Sequence, residues 1–252
     1  MEYKSFGNKE KIRIGVIGIG RNTGETTVSL LITNKLNEMG VGVAFLELGN
    51  PKYINSMVYD KLGLANKYKK EPFVDFYKLI NEGKRIRGVY NINEGVNWVL
   101  ITPENVRENI ELNAEDKFRL ISNAFGEVIV VDCNSDFDVL GEMDYVIAII
   151  DPNPSVLLNR EVQYNRLREI SVESGNVIWI VNKFNRGVNS IELNGFLKLK
   201  KYHKLKCFPP EIIYLNEYSC KLLGKNREIS KLSEETINSV IKEMGIRGKH
   251  NK

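Results

Sequence analysis

Short apolar runs alternate along the chain with longer stretches in which apolar residues recur every three to four positions. Residues 12–17 (Ile-Arg-Ile-Gly-Val-Ile) predict a first strand, 26–39 a helix through Val28, Leu31, Ile32 and Leu36, and 41–48 a second strand. Gly40 ends that helix, as a glycine just past the last turn does. The opening is therefore strand, glycine-bearing loop, helix, strand, a βαβ unit with a parallel pair. Further strands are predicted at 98–102, 128–132, 145–150 and 177–182, with Cys207 and Phe208 closing a last short one before Pro209-Pro210. Helical spacing fills 73–81, 116–125 and 155–170. Strands that are apolar throughout are buried on both faces, as in a parallel sheet covered by helices. The fold class is α/β: a single doubly wound, mostly parallel sheet flanked by helices over residues 1–246, followed by a basic, disordered tail at 247–252.

In such a sheet, ligands lie at the carboxyl ends of the strands, and four strand ends carry suggestive polar residues. The first strand runs into Gly18-Ile19-Gly20-Arg21-Asn22-Thr23-Gly24-Glu25-Thr26-Thr27. Its position and glycines match a phosphate-binding loop, G-x-x-x-x-G-K-[ST], in which backbone N–H groups cradle phosphates, lysine reaches their oxygens and the hydroxyl residue holds Mg²⁺. Gly24, Thr26 and Thr27 stand in register, but Glu25 replaces the lysine. A carboxylate about 4 Å from a phosphate charge is disfavoured by about 4 kcal/mol per charge pair at an effective dielectric near 20. Asp132 closes an apolar strand and is a candidate Mg²⁺ ligand together with Thr26. Asn182-Lys183 ends another strand, where a side-chain amide suits the edge of a base. Glu47, near the end of the second strand, suits either a switch carboxylate or the acid that bonds a ribose. The second possibility defines a rival, a dinucleotide-binding Rossmann site on Gly18-x-Gly20-x-x-x-Gly24, although its glycine spacing is one residue too long.

The remaining composition narrows the picture only slightly. The 252 residues are 42% hydrophobic with a net charge of +4, which suits a globular domain and permits an acidic partner without requiring one. No apolar run approaches the roughly 18 residues that span a bilayer, and no signal-peptide pattern follows Met1, so a cytoplasmic location is expected. Cys133, Cys207 and Cys220 are widely spaced and read as reduced core thiols, not metal ligands. Lys198, Lys200, Lys201, Lys204 and Lys206 crowd together, with a smaller cluster at Lys67, Lys69 and Lys70; a solvated face is expected, and duplex DNA is the functional alternative. The stripe Ile237, Val240, Ile241 and Met244, followed by Arg247, Lys249 and Lys252, is expected to pack on the sheet, with a membrane anchor as the alternative.

Taken together these residues resemble the ParA/MinD family of P-loop ATPases, from about residue 12 to 244, and within it the pilus-assembly branch called TadZ or CpaE. The family's K-G-G-V-G-K-T-T loop aligns without gaps on Gly20, Arg21, Asn22, Thr23, Gly24, Glu25, Thr26 and Thr27. Its carboxylate-bearing strand falls on 43–49, its Phe-Asp-Tyr-apolar-Asp segment on 125–132, and its base-contacting asparagine on Asn182, beside Lys183. The 208–210 segment and a helix ending at Gly224 look like its region of nucleotide contact. The resemblance implies ATP or ADP with Mg²⁺ as cofactor, a homodimer, and protein partners of a pilus, secretion, partition or division system, with recruitment to DNA, the membrane or the cell pole as further options. Both family lysines are absent: Glu25 stands for the one that grips phosphate in cis and Gly20 for the one that reaches the partner's nucleotide. The water-activating aspartate falls on Gly49, with Glu47 and Asn50 nearby. A localisation or scaffold protein with a degenerate site and little or no hydrolysis is expected; an active switch, with Arg21 replacing the trans lysine and Glu25 helping to hold the metal, is the alternative.

Overall fold

A computed structural model describes residues 11–49, 57–67 and 72–248. Strands β1 (Ile12–Gly18), β2 (Val43–Glu47), β3 (Ile92–Asn93), β4 (Val96–Val99), β5 (Val128–Asp132), β6 (Tyr145–Ile150), β7 (Val177–Phe184) and β8 (His203–Lys206) form one sheet in the order β3-β4-β2-β5-β1-β6-β7-β8. Every pairing is parallel except the β3–β4 hairpin, closed by the two-residue turn Glu94-Gly95. The order reverses beside β1, so the loop after β1 lies at the crevice where a doubly wound sheet takes its ligand.

The strands bury both faces because alternate residues feed two cores. Val128, Val130, Ile147, Ile149, Ile178 and Ile180 meet one, packed by α1 (Glu25–Glu38) and the closing helices. Ile129, Val131, Val146, Ala148, Trp179 and Val181 meet the other. Between β2 and β4 the chain forms the short helices α2 (Val58–Lys61), α3 (Leu64–Lys67) and α4 (Phe76–Asn81). On the second face follow α5 (Pro103–Glu108), α6 (Ala114–Asn123), α7 (Pro154–Asn159), α8 (Glu161–Ser174) and α9 (Ser190–Leu197). After β8 come α10 (Pro210–Tyr218) and α11 (Arg227–Glu243), and the stripe Ile237, Val240, Ile241 and Met244 is buried, as packing requires.

Several expectations need correction. Residues 98–102 are not a strand throughout: β4 ends at Val99, and Thr102 with Asn105 forms a capping box, with Pro103 at the first helical position of α5. The helix expected at 155–170 is two helices broken at Arg160, whose φ of −120° and ψ of 19° leave the helical region. The last strand is β8, not Cys207-Phe208, and residues 219–224 extend no helix to Gly224, which lies in a 3₁₀ turn, Leu223–Lys225. Of the three free cysteines, Cys133 is a core thiol, whereas Cys207 is exposed and Cys220 half-buried. The lysines at 198, 200, 201, 204 and 206 are exposed, Lys201 pairing with Glu243 at 2.6 Å and Lys204 lying over the Phe184 and Tyr202 rings. Gly248 lies against Met39; residues 249–252, like Asn50, Lys69 and Lys70, lie outside the described residues. No helix among the described residues is long and apolar enough to cross a membrane.

Candidate functional site

The glycine loop is held from below and behind by β7. The Asn182 side chain donates to Thr23 O at 2.7 Å, and Lys183 Nζ donates to Asn22 O at 2.6 Å while pairing with Asp151 at 2.7 Å. Gly24 has φ +99°, a left-handed conformation, and a Cβ there would overlap Asn182 Nδ2, so glycine is required twice over. The Thr23 hydroxyl closes the turn on Gly20 O at 3.1 Å. Gly24 caps α1 with no side-chain hydrogen bond, leaving a 14-residue helix aimed N-terminus first at the loop.

Glu25 does not project outward. Its carboxylate folds back beneath the loop, accepts from the Gly18 N–H, and receives the Ser135 hydroxyl at 3.2 Å. Asp132 lies close by, fully buried at the end of β5. Both Asp132 oxygens lack a hydrogen bond of normal geometry, although the Thr26 hydroxyl and the Asn134 N–H are near enough to offset part of its desolvation. Burial raises the pKa of both acids, and the Asp132 charge pushes Glu25 up further. Glu47 is buried beside them on β2 and is also pushed up, to about 8, by burial and by Asp132. Its two oxygens accept from the N–H groups of Val58 and Ile101, each at 3.3 Å. That makes it a strut between α2 and the end of β4, and not an acid facing a ribose.

Two unpartnered, buried carboxylate oxygens beside a threonine hydroxyl form a hard-oxygen donor set, so Thr26 and Asp132 fit a Mg²⁺ ion. The loop and the α1 N-terminus fit phosphate by backbone geometry, while Glu25, in the lysine's place, brings no cation to it. On the other side of Lys183 a cleft of ≈ 860 Å³ opens between the ends of β6 and β7, lined among others by Asp151, Pro154, Leu157, Val188 and Phe196.

No protein-family model matches the chain, and no curated protein is similar to it in sequence. Solved structures are similar in shape. MinD from Pyrococcus horikoshii with Mg-ADP superposes with a TM-score of 0.72 at 15% identity, over 95% of this chain and 100% of its own. A ParA family ATPase from Chlorobium tepidum gives 0.69 at 14%, over 92% and 99%. MinD in the Aquifex aeolicus MinC:MinD complex gives 0.64 at 15%, over 96% and 99%. The chain has the fold of the MinD and ParA ATPases.

Within this MinD/ParA fold the expected site residues gather at one crevice: Gly20 to Thr27, Asp132, Asn182 and Lys183 converge on the end of β1. The side-chain amide of Asn182, expected to meet the edge of a base, and the ammonium of Lys183 beside it donate to the loop carbonyls of Thr23 and Asn22. Gly49 has φ +147° and packs on Asn134, whose amide donates to Leu48 O. Sequence reasoning missed Asn134, Ser135, Asp151 and Arg160. The strand-end rule that singled out Asp132 also reaches Asp151, Asn134 and Ser135 when applied to the residues just beyond β6 and β5. No local pattern marks Arg160.

Proposed function

We propose that this chain is a ParA/MinD-like localisation or scaffold protein of the TadZ/CpaE kind, one that keeps a Mg-nucleotide pocket and hydrolyses ATP little or not at all. The observation that carries the reading is the Glu25 carboxylate, buried beneath the loop and accepting the Gly18 N–H where a phosphate-binding loop needs a lysine. Thr26 and Asp132 would hold Mg²⁺, and the loop with the α1 N-terminus would seat phosphate. Bound Mg²⁺ would supply, next to phosphate oxygens, positive charge that the loop lacks at position 25. Without the lysine, charge developing on a transferring phosphoryl group is poorly stabilised, and most rate enhancement goes with it.

Similar solved proteins carry nucleotide, Mg-ADP in P. horikoshii MinD and ATP in a variant of Cyanothece McdA, and A. aeolicus MinD was solved with a protein partner, MinC. The MinC complex supports a role exercised through partner binding, and a homodimer is the assembly we propose for it. The test is calorimetric titration with Mg-ADP and Mg-ATP beside a steady-state phosphate-release assay. Measurable binding with turnover at background is expected; brisk hydrolysis abolished by Asp132→Ala would overturn the reading in favour of an active switch. That second reading is favoured by the Thr26 hydroxyl standing close to Asp132, whose carboxylate oxygens have no hydrogen bond of normal geometry.

A further inference from the structure

The helix break at Arg160 and the glycine at position 20 meet in space. Arg160 stands between α7 and α8, its N–H donating to Leu157 O at 3.1 Å and its carbonyl accepting from Tyr164 N at 2.9 Å. Leaving the helical conformation at this residue lays its side chain along the glycine loop. A Cβ on Gly20 would lie 3.0 Å from Arg160 Nε, 3.1 Å from Cγ and 3.3 Å from Cδ. Such contacts are tighter than nine in ten real Cβ contacts, so any side chain at 20 would push the arginine stem at 160 aside by a few tenths of an ångström.

We propose that Arg160 is an anion-binding residue of the glycine loop, delivering from the α7–α8 break a positive charge to a loop that carries Glu25 where a phosphate-gripping lysine would stand. The proposal rests on the nucleotide reading above, and the ligand it addresses is the phosphate chain of a nucleoside di- or triphosphate. Three observations converge on it. Among the described residues the Arg160 guanidinium makes no hydrogen bond or ion pair, so its donors are uncommitted. Lys183, the neighbouring cation, is already engaged by Asp151 and Asn22 O. The same loop holds Glu25 where a phosphate-binding loop has a lysine, so a further cation favours an anion entering it. A planar guanidinium presents paired donors that match phosphate oxygens, which an ammonium does not reproduce. The absence of a side chain at 20 then acquires a role: it is the channel through which Arg160 reaches the loop, and a lysine at 20 would displace it.

The experiment is calorimetric titration of the full chain with Mg-ADP, Mg-ATP and inorganic pyrophosphate, comparing wild type with Arg160→Gln, Arg160→Lys, Gly20→Ala and the double variant Gly20→Ala/Arg160→Gln. Arg160→Gln is expected to weaken binding of all three by about tenfold or more, with the thermal midpoint unchanged. Arg160→Lys, which retains charge and guards against a folding artefact, is expected to fall between. Gly20→Ala should weaken binding by pushing the stem aside, and the double variant should bind no more weakly than Arg160→Gln alone, because the two residues act as one unit. Wild-type affinity in Arg160→Gln overturns this assignment and leaves the nucleotide reading standing. Failure of the wild type to bind any of the three overturns both. Additive losses in the double variant overturn the claim that Gly20 serves Arg160.

Discussion

Glu47 and Asp132 sit directly opposite each other on adjacent parallel strands, equally hidden from water, and have opposite surroundings. Glu47 has a backbone N–H for each oxygen and ties β2 to α2 and to the end of β4. Asp132 has none of normal geometry. A buried carboxylate that is fully bonded is a structural element. One left bare costs stability, and a fold retains such a cost where a ligand relieves it. Burial alone does not separate structure from site; the count of partners does.

Mutation should separate the two most sharply. Glu47→Ala leaves two buried N–H groups without acceptors and is expected to cost about 2–5 kcal/mol in urea denaturation. Asp132→Asn removes a bare buried charge and is expected to stay within about 1 kcal/mol of wild type, or to stabilise. Equal losses in the two variants would collapse the comparison.

Next in size is pH. The folded pKa of Glu47 is raised from 4.5 to about 8, and Glu25 moves the same way, so between those values the folded state holds protons that the unfolded chain has released. This contribution to stability is fully present below about 4.5 and is lost as pH rises through 8. The urea midpoint should therefore fall from pH 5.5 to pH 8.5, and Glu47→Gln should flatten the slope; a wild-type midpoint that climbs over that range would refute the assignment.

Divalent cation gives a smaller effect. Mg²⁺ at about ten times its dissociation constant should stabilise the wild type by about 1.4 kcal/mol, read as a rise in melting temperature, and should not stabilise Asp132→Asn. Smallest is the clamp on the loop: Asn182→Ala loses one hydrogen bond to Thr23 O and should cost about 1 kcal/mol, with the loop amides exchanging faster.

The central strands were legible because each is apolar from end to end: β5 and β6 fall on the predicted residues 128–132 and 145–150. The edges were not. In β8 only Leu205 is buried, so His-Lys-Leu-Lys shows no apolar run, and β3 has two residues. The loop, Thr26 and Asp132 could be placed at one site because a strand end is a position that sequence defines. The partners of Asn182 could not, since an amide at a strand end faces a ligand or a loop according to tertiary distances alone. Nor could the break at Arg160, where Asn159-Arg160-Glu161 carries neither the glycine nor the proline that would mark it.

The two margins of the sheet bear on how copies of this chain can assemble. At one margin β8 presents Lys204 and Lys206 to solvent, and at the other β3 is only two residues long and turned antiparallel. A second sheet laid against β8 would bring like charges together, and against β3 it would find two residues of backbone to pair with. Joining sheets side by side into a continuous ribbon is thereby disfavoured at both described margins, which leaves the faces and the crevice end of the strands as the better surfaces for pairing copies.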